Sequence, residues 1–255
     1  MSILKVENLS ISFGGLKAVD DLSFEIEKNS IFGLIGPNGA GKTTVFNCVS
    51  RFYTPDEGKV IFRSNGEDID LLKVHVHEII TPGMVRTFQN VELVKEMSVI
   101  DNLLIGLHCK IHTNIFEEVL GMGKSKERKS REKARDVLSF LGLEAYEDEK
   151  AGVQPYGVQK LIELGRTLMS DPKLIILDEP AAGMNHNETQ DLAVLIKRIR
   201  DELGITILLV EHDMGLVMGI CEKICVISFG KKIAEGTPAE IKANAKVQEA
   251  YLGGE

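Results

Sequence analysis

Three short clusters in this chain carry residues suited to phosphate chemistry. The first is Gly36-Pro37-Asn38-Gly39-Ala40-Gly41-Lys42-Thr43-Thr44, which satisfies the spacing G-x-x-x-x-G-K-[ST]. Its glycines let successive backbone N–H groups turn inward around phosphate oxygens, Lys42 can reach the β- and γ-phosphates, and the Thr43 hydroxyl can ligate Mg²⁺. The second cluster is Asp178-Glu179, which ends the apolar run Leu174 to Leu177. Asp178 is placed to hold Mg²⁺ through water, and Glu179 to polarise a water attacking a γ-phosphorus in line. The third is Val210-Glu211-His212-Asp213, at the end of the apolar run Thr206 to Val210. A lone histidine after a strand more often serves structure than chemistry, but the two clusters upstream reverse that and favour a place for His212 at the same phosphate edge.

These clusters need elements that bring them together, and the hydrophobic pattern supplies them. Alternation over Ile3 to Val6 and Leu22 to Ile26, with turns at Gly14-Gly15 and Lys28-Asn29, predicts short strands. The apolar run Ser30 to Ile35 predicts a buried strand feeding the glycine loop. Beyond the loop, Thr44, Val45, Phe46, Val49 and Phe52 predict a helix that stops before Pro55. Lys59 to Phe62 predicts an antiparallel β piece. Between 91 and 152 helical periodicity takes over, with Val137, Leu138, Leu141 and Leu143 behind a basic run, Lys124 to Arg135. Strand and helix then alternate: strand Leu174 to Leu177, helix Thr189 to Leu203, strand Thr206 to Val210, helix Met214 to Cys221, strand Ile224 to Ile227. The expected class is α/β, with a mainly parallel sheet whose C-terminal strand edges carry the acidic pair and His212. The domains read as a nucleotide-binding core over 1–90 and 153–235, a helical subdomain over 91–152, and a C-terminal helix over 236–255 docked on the core.

Composition excludes several alternatives. The chain has 255 residues, 44% of them hydrophobic and 27% charged, an ordinary globular balance. Its net charge of −8 is the wrong sign for a protein whose main ligand is a polyanion. No stretch reaches the roughly 18 consecutive apolar residues of a membrane span, and Lys5 and Glu7 stand where a signal peptide would be apolar. A cytosolic chain is the expectation. Cys48, Cys109, Cys221 and Cys225 form no Cys-x-x-Cys pair and read as reduced core residues. His75 with His77, or His108, Cys109 and His112, lack the paired spacing of a structural zinc site. The basic run reads first as a solvated helical face; attraction to anionic lipid headgroups is its sharper alternative.

The order GPNGAGKT, FQN with Gln89, a helical insert, PYGVQ, LIILDEP and EHD resembles the nucleotide-binding subunit of an ABC transporter over essentially the whole chain. VRTFQN (Val85–Asn90), LDEPAAGMN (Leu177–Asn185) and the EAYLGGE tail are most similar to the branched-chain amino-acid importer ATPases. The resemblance implies a P-loop NTPase core of the ABC ATPase fold, ATP and Mg²⁺ as ligands, and hydrolysis coupled to transport. It implies that Phe13 stacks on adenine, although a ring of this kind also suits a core. It implies that Gln89 senses Mg²⁺ and γ-phosphate and touches the membrane partner, and that His212 contacts γ-phosphate. The implied partners are two integral-membrane permease subunits, a second ABC ATPase and, indirectly, a solute-binding protein, with the chain peripheral on the cytoplasmic face of the membrane and no nucleic acid.

Two departures from the family pattern stand out. The signature Leu-Ser-Gly-Gly-Gln aligns with Gln154-Pro155-Tyr156-Gly157-Val158, followed by Gln159, so the serine hydroxyl and the glutamine are lost. In the usual head-to-tail dimer this loop reaches the partner's ATP, which implies a heterodimer with a second ATPase of complete signature. Asn185 replaces the aspartate usual after the Glu-Pro pair. The phosphate residues alone would also suit a soluble ABC-type ATPase acting on DNA or ribosomes. The short span from Gln89 to Gln154, the single cassette and the acidic balance argue against it. Lipopolysaccharide or urea transport remains the alternative within the transporter class.

Overall fold

The computed structural model describes residues 1–75, 82–87, 92–107 and 122–252. Gln89 lies outside them, as do His77, His108, Cys109 and His112. The chain divides into two compact units: Met1–Arg86 with Lys173–Glu255, and Thr87–Pro172.

The first unit contains two sheets. Strands β1 (Ser2–Phe13), β2 (Leu16–Glu27), β4 (Glu57–Ser64) and β5 (Glu67–Asp70) form an antiparallel sheet in the order β2-β1-β4-β5. The second sheet has the order β10-β9-β3-β8-β7-β6, built from β3 (Ile31–Ile35), β6 (Met84–Arg86), β7 (Leu174–Asp178), β8 (Thr206–Val210), β9 (Lys223–Ser228) and β10 (Lys231–Gly236). Its pairings are parallel apart from the β9–β10 hairpin. β3, β7 and β8 are buried at every position, which is why each reads as a continuous apolar run. One core cluster runs from Leu4, Val6 and Phe62 of the antiparallel sheet, through Val45, Phe46 and Val49 of helix α1 (Lys42–Val49), to Phe32, Ile176 and Leu208.

α1 is shorter than the pattern predicts. It ends at Val49, and Arg51 takes a left-handed φ of 64°, so Phe52 leaves the helix and is 54% exposed. The expected single C-terminal helix is also two pieces, separated by Asn244. Together with α5 (His186–Leu203) and α6 (Met214–Ile220), the unit carries α7 (Pro238–Ala243) and α8 (Ala245–Leu252), whose Ile241 and Val247 are buried. The β10 strand before them was not anticipated, because KKIAEG is too polar to read as a strand and pairs only as a sheet edge.

The second unit is helical: α2 (Val99–Ile105), α3 (Met122–Leu141) and α4 (Tyr156–Leu168). α4 groups with α2 and α3, so the expected return to the core at 153 comes later, at Lys173. The reason is close packing: a Cβ at Gly165 would stand 2.9 Å from Leu141 and 3.3 Å from Leu103. The fully buried Asn102 donates to Val94 O and Ser98 O, both at 3.0 Å, and accepts from Val94 N at 3.0 Å and Arg166 Nη2 at 2.6 Å. The basic run on α3 is partly paired, with Arg131 to Asp101 and Glu127, Lys133 to Asp171, and Arg135 to Glu147. No helix among the described residues is long and apolar enough to cross a membrane.

Candidate functional site

The glycine loop leaves the C-terminal end of β3, and backbone crowding dictates its residues. A Cβ at Gly36 would lie 2.1 Å from Ile227 O, and one at Gly41, where φ is +101°, would lie 2.5 Å from Ala18 O. Ala40 holds the turn, its N–H donating to Pro37 O at 3.1 Å and its carbonyl accepting from Gly230 N at 2.9 Å. Helix α1 then starts with no side-chain cap, so its first-turn N–H groups have neither a capping side chain nor an intrahelical acceptor. Lys42 is 8% exposed, and its ammonium donates to Gly36 O at 2.6 Å and Pro37 O at 3.1 Å. Burial draws this ammonium below the usual lysine range, and the Glu179 carboxylate opposes that. Thr43 is exposed on the first turn.

β7 and β8 bring the other clusters to the same strand edge, because Asp178 is in register with Val210. Asp178 is buried, and desolvation pushes its carboxyl above the usual range against the pull of Arg86. Arg86 Nη2 donates to Asp178 Oδ2 at 3.2 Å, and Nη1 to Asn47 Oδ1 at 2.8 Å and Ser50 Oγ at 3.1 Å. Its guanidinium lies 3.9 Å over the Phe46 ring. Glu179 takes a left-handed φ of 47°, uncommon for a residue with a side chain, and its N–H donates to Val210 O at 2.8 Å. His212 Nδ1 stands 3.8 Å from Glu179 Oε1.

Lys42, Asp178, Glu179 and His212 thus share one edge of the parallel sheet. Phe13, at the end of β1, is 46% exposed and meets Tyr53 edge-on at 5.3 Å, so it is a surface ring rather than a core one. The segment Pro155–Gln159 belongs to the helical unit. Pro155 begins α4 with no side-chain cap, Tyr156 is 45% exposed, and Gln159 Nε2 donates back to Gln154 O at 2.7 Å. Asn185 spends its side chain on α5, accepting from Asn187 N and Glu188 N, while its own backbone N–H donates to Glu188 Oε2. Sequence reasoning missed two residues at the edge, Arg86 and Glu211. Arg86 closes the three-residue strand β6, too short for a periodic pattern to mark it, whereas Glu211 was visible as a third acid at a strand end. Among the described residues no group of three or more His, Cys, Asp or Glu could hold a metal ion on its own. Cys48, Cys221 and Cys225 are free and buried, their thiols pushed up to about 12 mainly by desolvation.

A buried parallel strand, a glycine loop closing on an uncapped helix start, and an acidic pair on a neighbouring strand edge define a P-loop nucleoside triphosphatase. Residues 19–182 match the family model described as ABC transporter, and residues 231–255 match the model described as branched-chain amino acid ATP-binding cassette transporter. The high-affinity branched-chain amino acid transport ATP-binding protein BraF of Pseudomonas aeruginosa is 44% identical over 98% of both chains. Its counterpart LivG of Escherichia coli K12 is 42% identical over 98% of both. The solved structure of an ABC-transporter ATP-binding cassette in its ADP conformation superposes with a TM-score of 0.84 at 35% identity, covering 99% of both chains. The chain belongs to the ABC transporter family, among the ATP-binding proteins of branched-chain amino acid transport; it is a nucleotide-binding ATPase whose hydrolysis is coupled to transport.

Proposed function

We propose that this chain hydrolyses MgATP at the Gly36–Thr44, Asp178-Glu179 and His212 edge to energise uptake of branched-chain amino acids through separate integral-membrane permease subunits. The observation that carries it is the convergence of Lys42, Asp178, Glu179 and His212 on one strand edge beside an uncapped helix start. The loop suits a polyphosphate: Gly39, with φ +77°, has open space where a side chain would stand, and the first-turn N–H groups of α1 are available. Pro37, Asn38 and Ala40 contribute backbone to that cradle, and Thr44 adds a first-turn N–H. The hydroxyl of Thr43 and the carboxylate of Asp178 are hard oxygen donors fitted to Mg²⁺, with Gln89 as a further oxygen ligand. Mg²⁺ held by these groups would supply positive charge against the negative charge that develops on the transferring phosphoryl group.

Within this reading each side chain has a task. Lys42 leaves the carbonyls of Gly36 and Pro37 for the phosphates, Glu179 accepts the proton of the attacking water, and His212 holds a γ-phosphate oxygen. Gln89 links the γ-phosphate to the permease, and Phe13 offers its exposed ring to adenine. The unit of 1–86 and 173–255 does the chemistry, and the helical unit presents Pro155, Tyr156, Gly157, Val158 and Gln159 to a partner's ATP. That segment has lost the signature hydroxyl, so the partner is a second ABC ATPase with a complete signature, and the stronger composite site is the one holding this chain's Lys42 and Glu179. The assembly lies on the cytoplasmic face of the membrane, fed by a solute-binding protein.

The test is to purify the tagged chain from native membranes in mild detergent, identify its companions by mass spectrometry, and reconstitute the complex in liposomes. Two permeases, a second ATPase and ATP-dependent leucine uptake are expected, with uptake lost on Glu179→Gln. Recovery of only ribosomal or nucleic-acid components would overturn the reading, and uptake of urea instead of leucine would move the cargo. Equal ATPase rates before and after Glu179→Gln, with the partner's glutamate intact, would refute the asymmetry.

A further inference from the structure

Glu211 is one of the least exposed charged residues of the chain, at 1%, and it is absent from the chemistry above. It follows the last residue of β8, one position before His212, at the edge where β7 delivers Asp178 and Glu179. A third carboxylate crowded against two others invites a role as metal ligand, but its oxygens are already engaged. Oε1 accepts from Ala181 N at 2.9 Å; Oε2 accepts from His212 N at 2.9 Å and Asp213 N at 3.2 Å. Both oxygens are turned into backbone N–H groups and away from solvent, so neither is presented to a ligand. His212 Nδ1 lies 3.8 Å from Oε2, the same distance as from Glu179 Oε1.

The two ends of this bridge are informative. Ala181 lies two residues after Glu179, in the turn that holds Glu179 at its left-handed φ of 47°. That turn is otherwise closed by Glu179 N donating to Val210 O and Ala182 N donating to Glu179 O at 3.1 Å. The other end fixes the backbone of His212 itself, just before Asp213 caps α6 by accepting from Leu216 N. Parallel strands share hydrogen bonds only along their length, and beyond Asp178 and Val210 the ladder is over. Past that point one carboxylate takes its place, and charge-assisted bonds from three N–H groups make a stiff tie.

We propose that Glu211 is a positioning residue that clamps the Glu179 turn to the His212 turn, setting the separation of the two side chains that face the γ-phosphate. The proposal rests on the ATPase reading for its catalytic consequence, but its structural content does not. Glu211→Gln keeps the size but removes the charge and turns an N–H₂ group toward an N–H donor, so the tie between the turns is cut and every remaining bond loses its charge assistance. Glu211→Asp keeps the charge but is one methylene short of spanning both turns.

The experiment uses the full chain alone and in its assembled complex. Amide hydrogen exchange on the chain alone is expected to show segments 179–182 and 211–214 losing protection together in both variants, with the 36–44 loop unchanged. In the complex, kcat is expected to fall by about tenfold to a hundredfold with KM for ATP within about twofold, because misplacement of reacting groups penalises the chemical step more than binding. If one variant does not fold, the other reads the same two quantities. Loss of protection at one turn alone, or KM rising in proportion as kcat falls, would overturn the clamp. Should the wild-type complex show no ATPase while the paired deprotection occurs, the functional reading fails and the clamp stands.

Discussion

The strand edge at Lys42, Asp178 and Glu211 and the helical unit each hold a short backbone segment in place, and they do it by opposite means. At this edge the segments emerge from strands buried at every position and are fixed by charged side chains, two buried and one half-buried: Lys42 on the loop carbonyls, Glu211 across two turns, and Arg86 between Asp178 and Phe46. In the helical unit the segment Pro155–Gln159 opens a helix with no side-chain cap and an exposed tyrosine, while the charges that stabilise the unit, Arg166 on Asn102 and Arg135 on Glu147, lie elsewhere. The first arrangement is tied by charged side chains of its own unit. The second leaves the first-turn N–H groups of α4 without a side-chain cap.

The largest effect that can break this contrast is at the edge itself. Glu179→Gln should lower kcat of the assembled complex by on the order of a hundredfold or more, with nucleotide still bound, as measured by steady-state hydrolysis and equilibrium binding. Lys42→Ala should instead weaken nucleotide binding. Were Glu179→Gln to lose binding as well, the edge would be a single indivisible scaffold rather than a set of separable tasks. In the helical unit, Asn102→Ala removes a buried partner of Arg166 and of Val94, and should cost about 1–3 kcal/mol of stability in urea denaturation while nucleotide affinity of the chain stays unchanged. A matching fall in affinity would show that the two regions are not separable.

Smaller changes sharpen the comparison. Asn185→Ala deletes both bonds that its side chain accepts at the start of α5 and should cost about 1 kcal/mol in thermal unfolding, whereas Asn185→Asp, which keeps the acceptor, should be close to neutral. Its departure from the family's aspartate is then silent for the helix and concerns only what lies across from it. Smallest is Pro155→Ser, which supplies the missing cap of α4 and should stabilise the chain by about 0.5 kcal/mol or more. If the assembled complex also hydrolysed ATP faster, the lost hydroxyl would be a catalytic shortfall as well as a structural one.

Particular residues show what was legible and what was not. β8 was read at its full extent, and β7 to within its last residue, since a fully buried strand must be apolar at every position. The glycine loop was read because backbone crowding at Gly36 and Gly41 excludes any side chain, which makes the spacing nearly diagnostic. α1 was read too long: Phe52 continues the apolar period, and only the left-handed Arg51 shows that the chain has turned away. Phe13 could have been core or surface by type alone, and its exposure decides for the surface.

The sequence by itself determined the class of chemistry, the parallel α/β core and the family, because those depend on local spacing and on hydrophobic period, which neighbouring residues carry among themselves. Only the tertiary structure decided which charges are tied to which. Arg86 meets Asp178, Glu211 joins Ala181 to His212, and Arg166 satisfies Asn102, each across a separation along the chain that leaves no periodic trace. The physical reason is that a buried charge needs a partner in space, and the partner's place in the chain is set by strand order rather than by distance along the sequence.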